Sequence, residues 1–391
     1  MNKILFVCAR FPWPLLTGDA LRAYNQIKVL SEKNVVDVFS VEKPFASQCD
    51  INKYLNVSSS GKITKLRKIY NILSHSKDTA LQCAMYYDQQ SWQELRKLII
   101  TNKYNIVIFQ LVRLEYLIQK MVNLRNELNL DIKIYCDFVD ALSLNMRNRA
   151  TTESFFMKKL CQSESQKLTL IENKIYETID GSMIISERDA NYIGKDSFDI
   201  VPNGVAIPER SANLIRNSDK KIINLAFWGN MSYYPNVKAA LYLADLYSDL
   251  EKGKYKLHII GAQPNKKIQA LNSRDGIIIH GYVENLNSLL FNMDLAVFPI
   301  FDGSGLQNKV LEAFALNIPV ITTNIVLDSM PRLKQYAMAA NNKEGFRYYI
   351  ESFDACKDFT EHENGSAVQV LREHYNWDLI NTIIGSKWRR Y

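Results

Sequence analysis

Short apolar runs recur along the chain: KILFVC at 3–8, VVDVFSV at 35–41, NIVIF at 105–109, KIYCD at 133–137 and GSMIIS at 181–186. IINLAFW at 222–228, YKLHIIG at 255–261, GIIIH at 276–280, DLAVFP at 294–299 and IPVITT at 318–323 continue the series. Most are apolar throughout rather than alternating, as parallel strands covered on both faces should be. Between them apolar positions return at helical spacing, as in Ala20, Tyr24, Ile27 and Leu30, or Val237, Leu241 and Leu243. Strand and helix alternate, which predicts an α/β protein with doubly wound parallel sheets.

The pattern breaks once. DIVPNGVAIPERS at 199–211 holds two prolines and a glycine, leaves no room for a regular element, and reads as a connector; RNSDKK follows at 216–221, and a second strand series begins at Ile222. The expected domains are 1–203 and 204–376. The ending at 377–391 reads as an amphipathic helix with a basic tip that packs back on the first domain. A length of 391 residues agrees with two cores, because single cores stop growing near ~250–300 residues. There is no internal repeat and no low-complexity segment.

Composition narrows the function classes. Apolar content of 47% with 23% charged residues is that of an ordinary globular protein. No apolar run reaches the ~18 residues that span a bilayer. Ile4–Cys8, weighed as a signal core, is too short and too bulky, so a first core strand is expected. Six cysteines without CxxC spacing suggest neither a zinc site nor a disulfide framework, and fit reduced cytoplasmic thiols. The net charge of +7 favours anionic partners, but no nucleic-acid-binding module accompanies it.

Ligands of open α/β sheets bind beyond the carboxyl ends of strands, and four such loops carry chemistry. FDGSGLQNKVLEAFA follows DLAVFPI: Gly303 and Gly305 allow close backbone approach, a helix from about Leu306 offers amides to an anion, and Lys309 adds a charge. Glu312, three residues on, suits vicinal hydroxyls such as those of a ribose. FWGNMSYYPN turns at Gly229-Asn230 ahead of a helix near Asn236, where a first βα loop meets phosphate. ARFPWPLLTGDALRAYN places Gly18, Asp19 and Arg22 after the first strand, either at a ligand or as a capped helix with a solvent-facing Arg22. YCDFVDALS sets Asp137 and Asp140 after another strand; either carboxylate suits an acceptor hydroxyl or base role, and Asp140 equally suits a helix N-cap.

With these segments in view, the sequence resembles the retaining glycosyltransferases of family 4, with the GT-B fold, and especially the bacterial enzymes that build surface polysaccharides. RFPWPLLTGDALRAYNQIKVL, CDFVDALS, MIISERDANYI, IVPNGV, FWGNMSYYPNV, LHIIGAQP and GLQNKVLEAFALNIPVITT carry the likeness over nearly the whole chain. The resemblance implies a nucleotide-sugar donor on the second domain and a glycan or lipid-linked glycan acceptor on the first. It implies donor contacts from Gly229, Asn230, Gly303, Ser304, Gly305, Leu306 and Gln307. Glu312 matches the second glutamate of the family's E-x7-E motif, on the ribose; the first falls on Ser304, where the carboxylate is missing. Lys309, with help from Arg22, would stabilise the leaving diphosphate, Asp140 would guide the acceptor, and Gly18 and Asp19 would line the diphosphate and acceptor loop. No metal and no cofactor is expected. The rival classes are a noncatalytic GT-B partner protein, motivated by Ser304, and a nucleotide-sugar epimerase.

One more segment, GKITKLRKIYNILSHSK at 61–77, combines Lys62, Lys65, Arg67, Lys68 and Lys77 with Ile63, Leu66, Ile69, Tyr70 and Leu73, and no acid. It reads as a basic amphipathic helix, peripheral on an anionic inner leaflet or else packed by its apolar side on the sheet.

Overall fold

The structure is a computed structural model. It describes residues 2–13, 15, 17–42, 56–57, 63–75, 77, 79–151, 153–208, 222–301, 305–353 and 357–377, with backbone alone at 56–57 and 357–365. The chain divides into two compact units between Pro202 and Asn203. The helix expected over 377–391 lies, but for its first residue, outside the described residues.

Unit 1 is built on seven parallel strands in the order β3-β2-β1-β4-β5-β6-β7. They are β1 (Lys3–Cys8), β2 (Val35–Ser40), β3 (Asn56–Val57), β4 (Ile106–Gln110), β5 (Lys133–Asp137), β6 (Gly181–Ile184) and β7 (Asp199–Ile200). β1 pairs with β2 on one side, Ile4 opposite Val36, and with β4 on the other, Ile4 opposite Ile106. Its residues Leu5 to Cys8 have no accessible surface. That burial, worth about 1.5–3 kcal/mol for each large apolar side chain, explains why the strand reads as an unbroken apolar run.

Unit 2 repeats the plan with six parallel strands, β10-β9-β8-β11-β12-β13. These are β8 (Ile223–Trp228), β9 (Tyr255–Ile260), β10 (Ile277–Gly281), β11 (Leu295–Phe298), β12 (Val320–Thr322) and β13 (Met338–Ala339). The two-residue strands β3, β7 and β13 were not expected. They are edge additions held by main-chain pairing, such as Met183 with Asp199, and two residues are too few to show a period. β7 therefore corrects the reading of 199–211 as wholly irregular; 209–221 lie outside the described residues.

In both sheets the strand order reverses between the first strand and its later neighbour, at β1/β4 and at β8/β11. Such reversals splay the following loops apart and open a crevice at the carboxyl ends of the strands.

Candidate active site

In unit 2 the crevice at β8/β11 gathers most of the residues expected at a donor. The helix Asn308–Ala315 begins two residues later than anticipated, with Gln307 as N-cap and no side-chain capping bond. Val310, Leu311, Ala313, Phe314 and Ala315 are buried. Lys309 and Glu312 fall on the other face and stay half-buried. Asn317, at φ +53°, ends the run in the left-handed region before the chain enters β12.

Trp228 closes β8, and its indole Nε1 donates to Glu312 Oε2 at 2.7 Å. Among the described residues no donor reaches Oε1, so the carboxylate is held by one oxygen and offers the other. Lys309 Nζ donates to Asn236 Oδ1 at 2.6 Å and lies 5.1 Å from the centre of the Phe227 ring. Asn236 in turn donates from Nδ2 to the carbonyl of Asn230 at 2.9 Å. One amide thus ties the lysine to the loop after β8. Sequence reasoning named Asn236 only as a helix start and Trp228 not at all; both act on partners far along the chain.

Burial lowers the Lys309 ammonium to about 8, against the pull of Glu312. Burial raises the Glu312 carboxyl, opposed by the Trp228 hydrogen bond and by Lys309. Two charged groups set against aromatic rings, Lys309 beside Phe227 and Glu312 beside Trp228, are under-solvated. An anion at Nζ and hydroxyls at Oε1 would supply the missing partners.

Two glycines let the backbones come this close. Gly261, at φ +152°, follows β9, and a Cβ there would stand 1.7 Å from the carbonyl oxygen of Gly229. Gly229, at φ +149°, has Lys309 Nζ 3.2 Å from where its own Cβ would be. The Asn230 side chain is engaged in the turn: Oδ1 accepts from Ser232 N at 2.9 Å and Ser232 Oγ at 2.7 Å. Gly305 adopts φ +72° and Leu306 is buried, while Gly303 and Ser304 lie outside the described residues.

Unit 1 treats its expected residues differently. Gly18 opens the helix Gly18–Ser31 after Thr17, which is the N-cap without a capping bond, so Asp19 does not cap it. Instead Asp19 sits 3.5 Å from Arg10, and its main-chain oxygen accepts from Gln110. Arg22 corrects both sequence readings, ligand contact and solvent exposure alike. It has no accessible surface; Nε and Nη2 donate to the two oxygens of Asp137 at 2.7 and 2.9 Å, and Nη1 to the Val201 carbonyl at 2.7 Å. Every face of this guanidinium is occupied by protein, so it reaches no diphosphate. Asp137, also receiving Gln26 and the Val139 amide, is likewise excluded as a base.

Asp140 remains half-buried beyond β5. It is not the cap of the following helix Leu142–Ala150, whose N-cap is Ala141. Glu172 does that work from another helix: it takes the Ser143 amide at 3.1 Å and the Ser143 hydroxyl. Burial, with a contribution from Asp140, pushes the Glu172 carboxyl up to about 7. This neighbour of Asp140 carried no local sequence signal. Among the described residues no three His, Cys, Asp or Glu side chains gather as a metal-ligand cluster.

Residues 223–355, which hold the crevice of unit 2, match the family described as Glycosyl transferases group 1. The second unit is a glycosyltransferase domain. The chain is thus an enzyme of the glycosyltransferase class on the GT-B plan, and solved structures share that fold from end to end. A sucrose-phosphate synthase of Thermosynechococcus elongatus superposes with a TM-score of 0.72 at 13% identity, over 100% of this chain and 99% of that one. The lipopolysaccharide outer core galactosyltransferase WaaB gives 0.65 at 15%, over 98% and 99%. The Anabaena protein HepE, solved with UDP and glucose, gives 0.67 at 11%, over 100% of both chains. No curated protein matches the glycosyltransferase in sequence.

Proposed function

We propose that this glycosyltransferase takes a sugar from a nucleoside-diphosphate sugar, held in the β8/β11 crevice of unit 2, and transfers it with retention of configuration. The acceptor would be a glycan or lipid-linked glycan in the assembly of a bacterial surface polysaccharide. One observation carries the reading: Lys309 and Glu312, one helical turn apart at the crevice, form a desolvated cation and a one-sided carboxylate spaced for a diphosphate and a ribose.

In this scheme Glu312 Oε1 accepts a ribose hydroxyl while Trp228 fixes the carboxylate. Lys309, relieved of its desolvation by the diphosphate, meets the negative charge that grows on the leaving group as the glycosidic bond breaks. Main-chain amides about Gly305 to Gln307, ahead of the helix Asn308–Ala315, would add donors to the same oxygens. A preorganised donor of this kind is typically worth about 3–4 kcal/mol in the transition state. The acceptor hydroxyl passes its proton to the departing phosphate, and Asp140 orients it. Arg22 has no part.

The test is a thermal-shift and product-release panel with UDP-, GDP-, ADP- and dTDP-sugars. Stabilisation by one nucleotide with slow release of free sugar is expected. Stabilisation without release, even when candidate acceptors are added, would favour the noncatalytic reading that Ser304 motivates, and no stabilisation by any nucleotide would overturn the donor site. An epimerase would interconvert the donor sugar with no acceptor present.

A further inference from the structure

The helix Lys65–His75 is mounted inside out. Soluble helices turn an apolar stripe to the core and polar residues to water. Here the inward side is polar but for the half-buried Ile72. Lys68 Nζ pairs with Glu42 at 2.6 Å and lies over the Tyr86 ring, Asn71 is fully buried and donates to the Met85 carbonyl at 3.3 Å, and His75 stacks on Tyr87. The outward side carries Leu66, Ile69, Tyr70 and Leu73, at 80, 56, 57 and 78% exposure. Their spacing of three, four and seven places them on one face.

A second helix of unit 1 adds to it. Along Phe155–Thr178, Phe156, Leu160, Lys167 and Leu170 share one stripe, opposite the buried Cys161, Leu168 and Ile175. Phe156 is 83% and Leu170 72% exposed, and Phe155 stands beside Phe156 with Lys159 over its ring. Lys167 Nζ donates to the carbonyls of Lys77 and Thr79, each at 3.3 Å, so this stripe runs past the end of the first helix.

We infer that these two helix faces form one surface of unit 1 that docks on an anionic lipid bilayer, the apolar side chains entering the interface and the bases meeting headgroups. Charge selects this occupant. Besides the inward Lys68, residues 63–77 hold the exposed Lys65, Arg67 and Lys77 and no acid, and over 154–171 the sole acid, Glu164, is buried and bonded to the amides of Leu81 and Gln82. Exposed aromatic and aliphatic residues rimmed by bases are the composition of an interfacial helix. A second copy of the chain would set the same bases against themselves. Docking would bring unit 1 to lipid-linked molecules, but it is independent of transfer chemistry and is read without donor or acceptor.

The full chain is sedimented with phosphatidylcholine vesicles, with and without 30% phosphatidylglycerol. Wild type is expected on the anionic vesicles alone and released by 0.5 M NaCl. Leu66→Ser/Leu73→Ser and Phe155→Ser/Phe156→Ser should each weaken partitioning at least tenfold, and Lys65→Gln/Arg67→Gln about fivefold per charge. Because these side chains are exposed, thermal midpoints should stay put, and the charge variant serves if either apolar one unfolds. Absence of wild-type binding, or unchanged binding of the variants, overturns the inference. So does a lipid-free dimer that Leu66→Ser/Leu73→Ser makes monomeric.

Discussion

Trp228 and Glu312, 84 positions apart in the chain, meet at 2.7 Å and join the last residue of β8 to the first turns of the helix that follows β11. The contact makes two loops of the crevice one unit. Glu312→Ala should leave the buried indole N–H unpaired, costing about 1–3 kcal/mol in chemical denaturation. It should also lower affinity for the stabilising nucleotide at least tenfold. Glu312→Gln keeps an acceptor for Trp228 and should recover the stability without full activity. Wild-type turnover in either variant would remove Glu312 from the donor site.

Lys309 sets a pH dependence of two opposite senses. Its ammonium titrates at about 8 in the free protein and near 10.5 when unfolded. Between those values the unfolded chain binds more protons, so the unliganded protein gains stability as pH rises. A diphosphate must restore the charge, so nucleotide affinity should fall by up to tenfold per unit above about pH 8, with one proton taken up. Calorimetry in buffers of different ionisation heat reads this directly. Lys309→Met should bind weakly with a flat profile; a flat wild-type profile would exclude the lysine from the diphosphate.

Arg22→Met should cost about 3–5 kcal/mol, because it strands the Asp137 carboxylate without its bidentate partner. Urea unfolding of unit 1 measures the loss. Arg22→Met/Asp137→Leu should regain much of it, as an apolar pair often replaces a buried ion pair at little cost. Loss of turnover with unchanged stability would be the mark of a ligand-binding arginine instead.

The rings of His258 and His280 stack, His258 Nδ1 lying 2.9 Å from His280 Nε2 and Nε2 3.2 Å from Asn224 Oδ1. Burial, then His280, lowers His258 to about 4. Below its unfolded value near 6.5 the unfolded chain takes protons that the folded ring refuses, so stability is lost as pH falls from about 6.5 towards 4. The loss attributable to this ring is roughly 1–3 kcal/mol. Denaturation of wild type and His258→Phe across that window should show a shallower slope in the variant.

Gly261→Ala should destabilise by about 1–3 kcal/mol, since its Cβ would collide with the Gly229 carbonyl. Moving Gly229 disturbs the loop that holds Asn236 and Lys309, so nucleotide affinity should fall with the melting midpoint. A variant as stable as wild type would show that β8 and β9 separate readily at this point.

Much of this was legible in the chain because its signals are local. The ten strands of three or more residues stood out as short runs, most of them apolar without alternation, and Lys309 with Glu312 by a spacing of three within an apolar helix. What escaped depends on distance. Nothing near Arg22 points to Asp137, so a charged residue after a capped turn was read as facing ligand or water. Trp228 looked like the end of an apolar strand, and only its partner 84 positions on gives its indole N–H a purpose. The helix Lys65–His75 was recognisable as amphipathic, but which side meets the sheet is decided by Glu42, Met85 and Tyr87, outside its own sequence.

The grip of Arg22 also orders events during synthesis. Its guanidinium needs Asp137, 115 positions later, and the carbonyl of Val201, 179 positions later. Until Asp137 has been translated that charge has no counter-ion, and until Val201 follows one of its N–H groups still lacks its acceptor, so closing the layer around β1 early is costly. A nascent chain halted short of Val201 would leave a buried guanidinium one acceptor short behind its first strand.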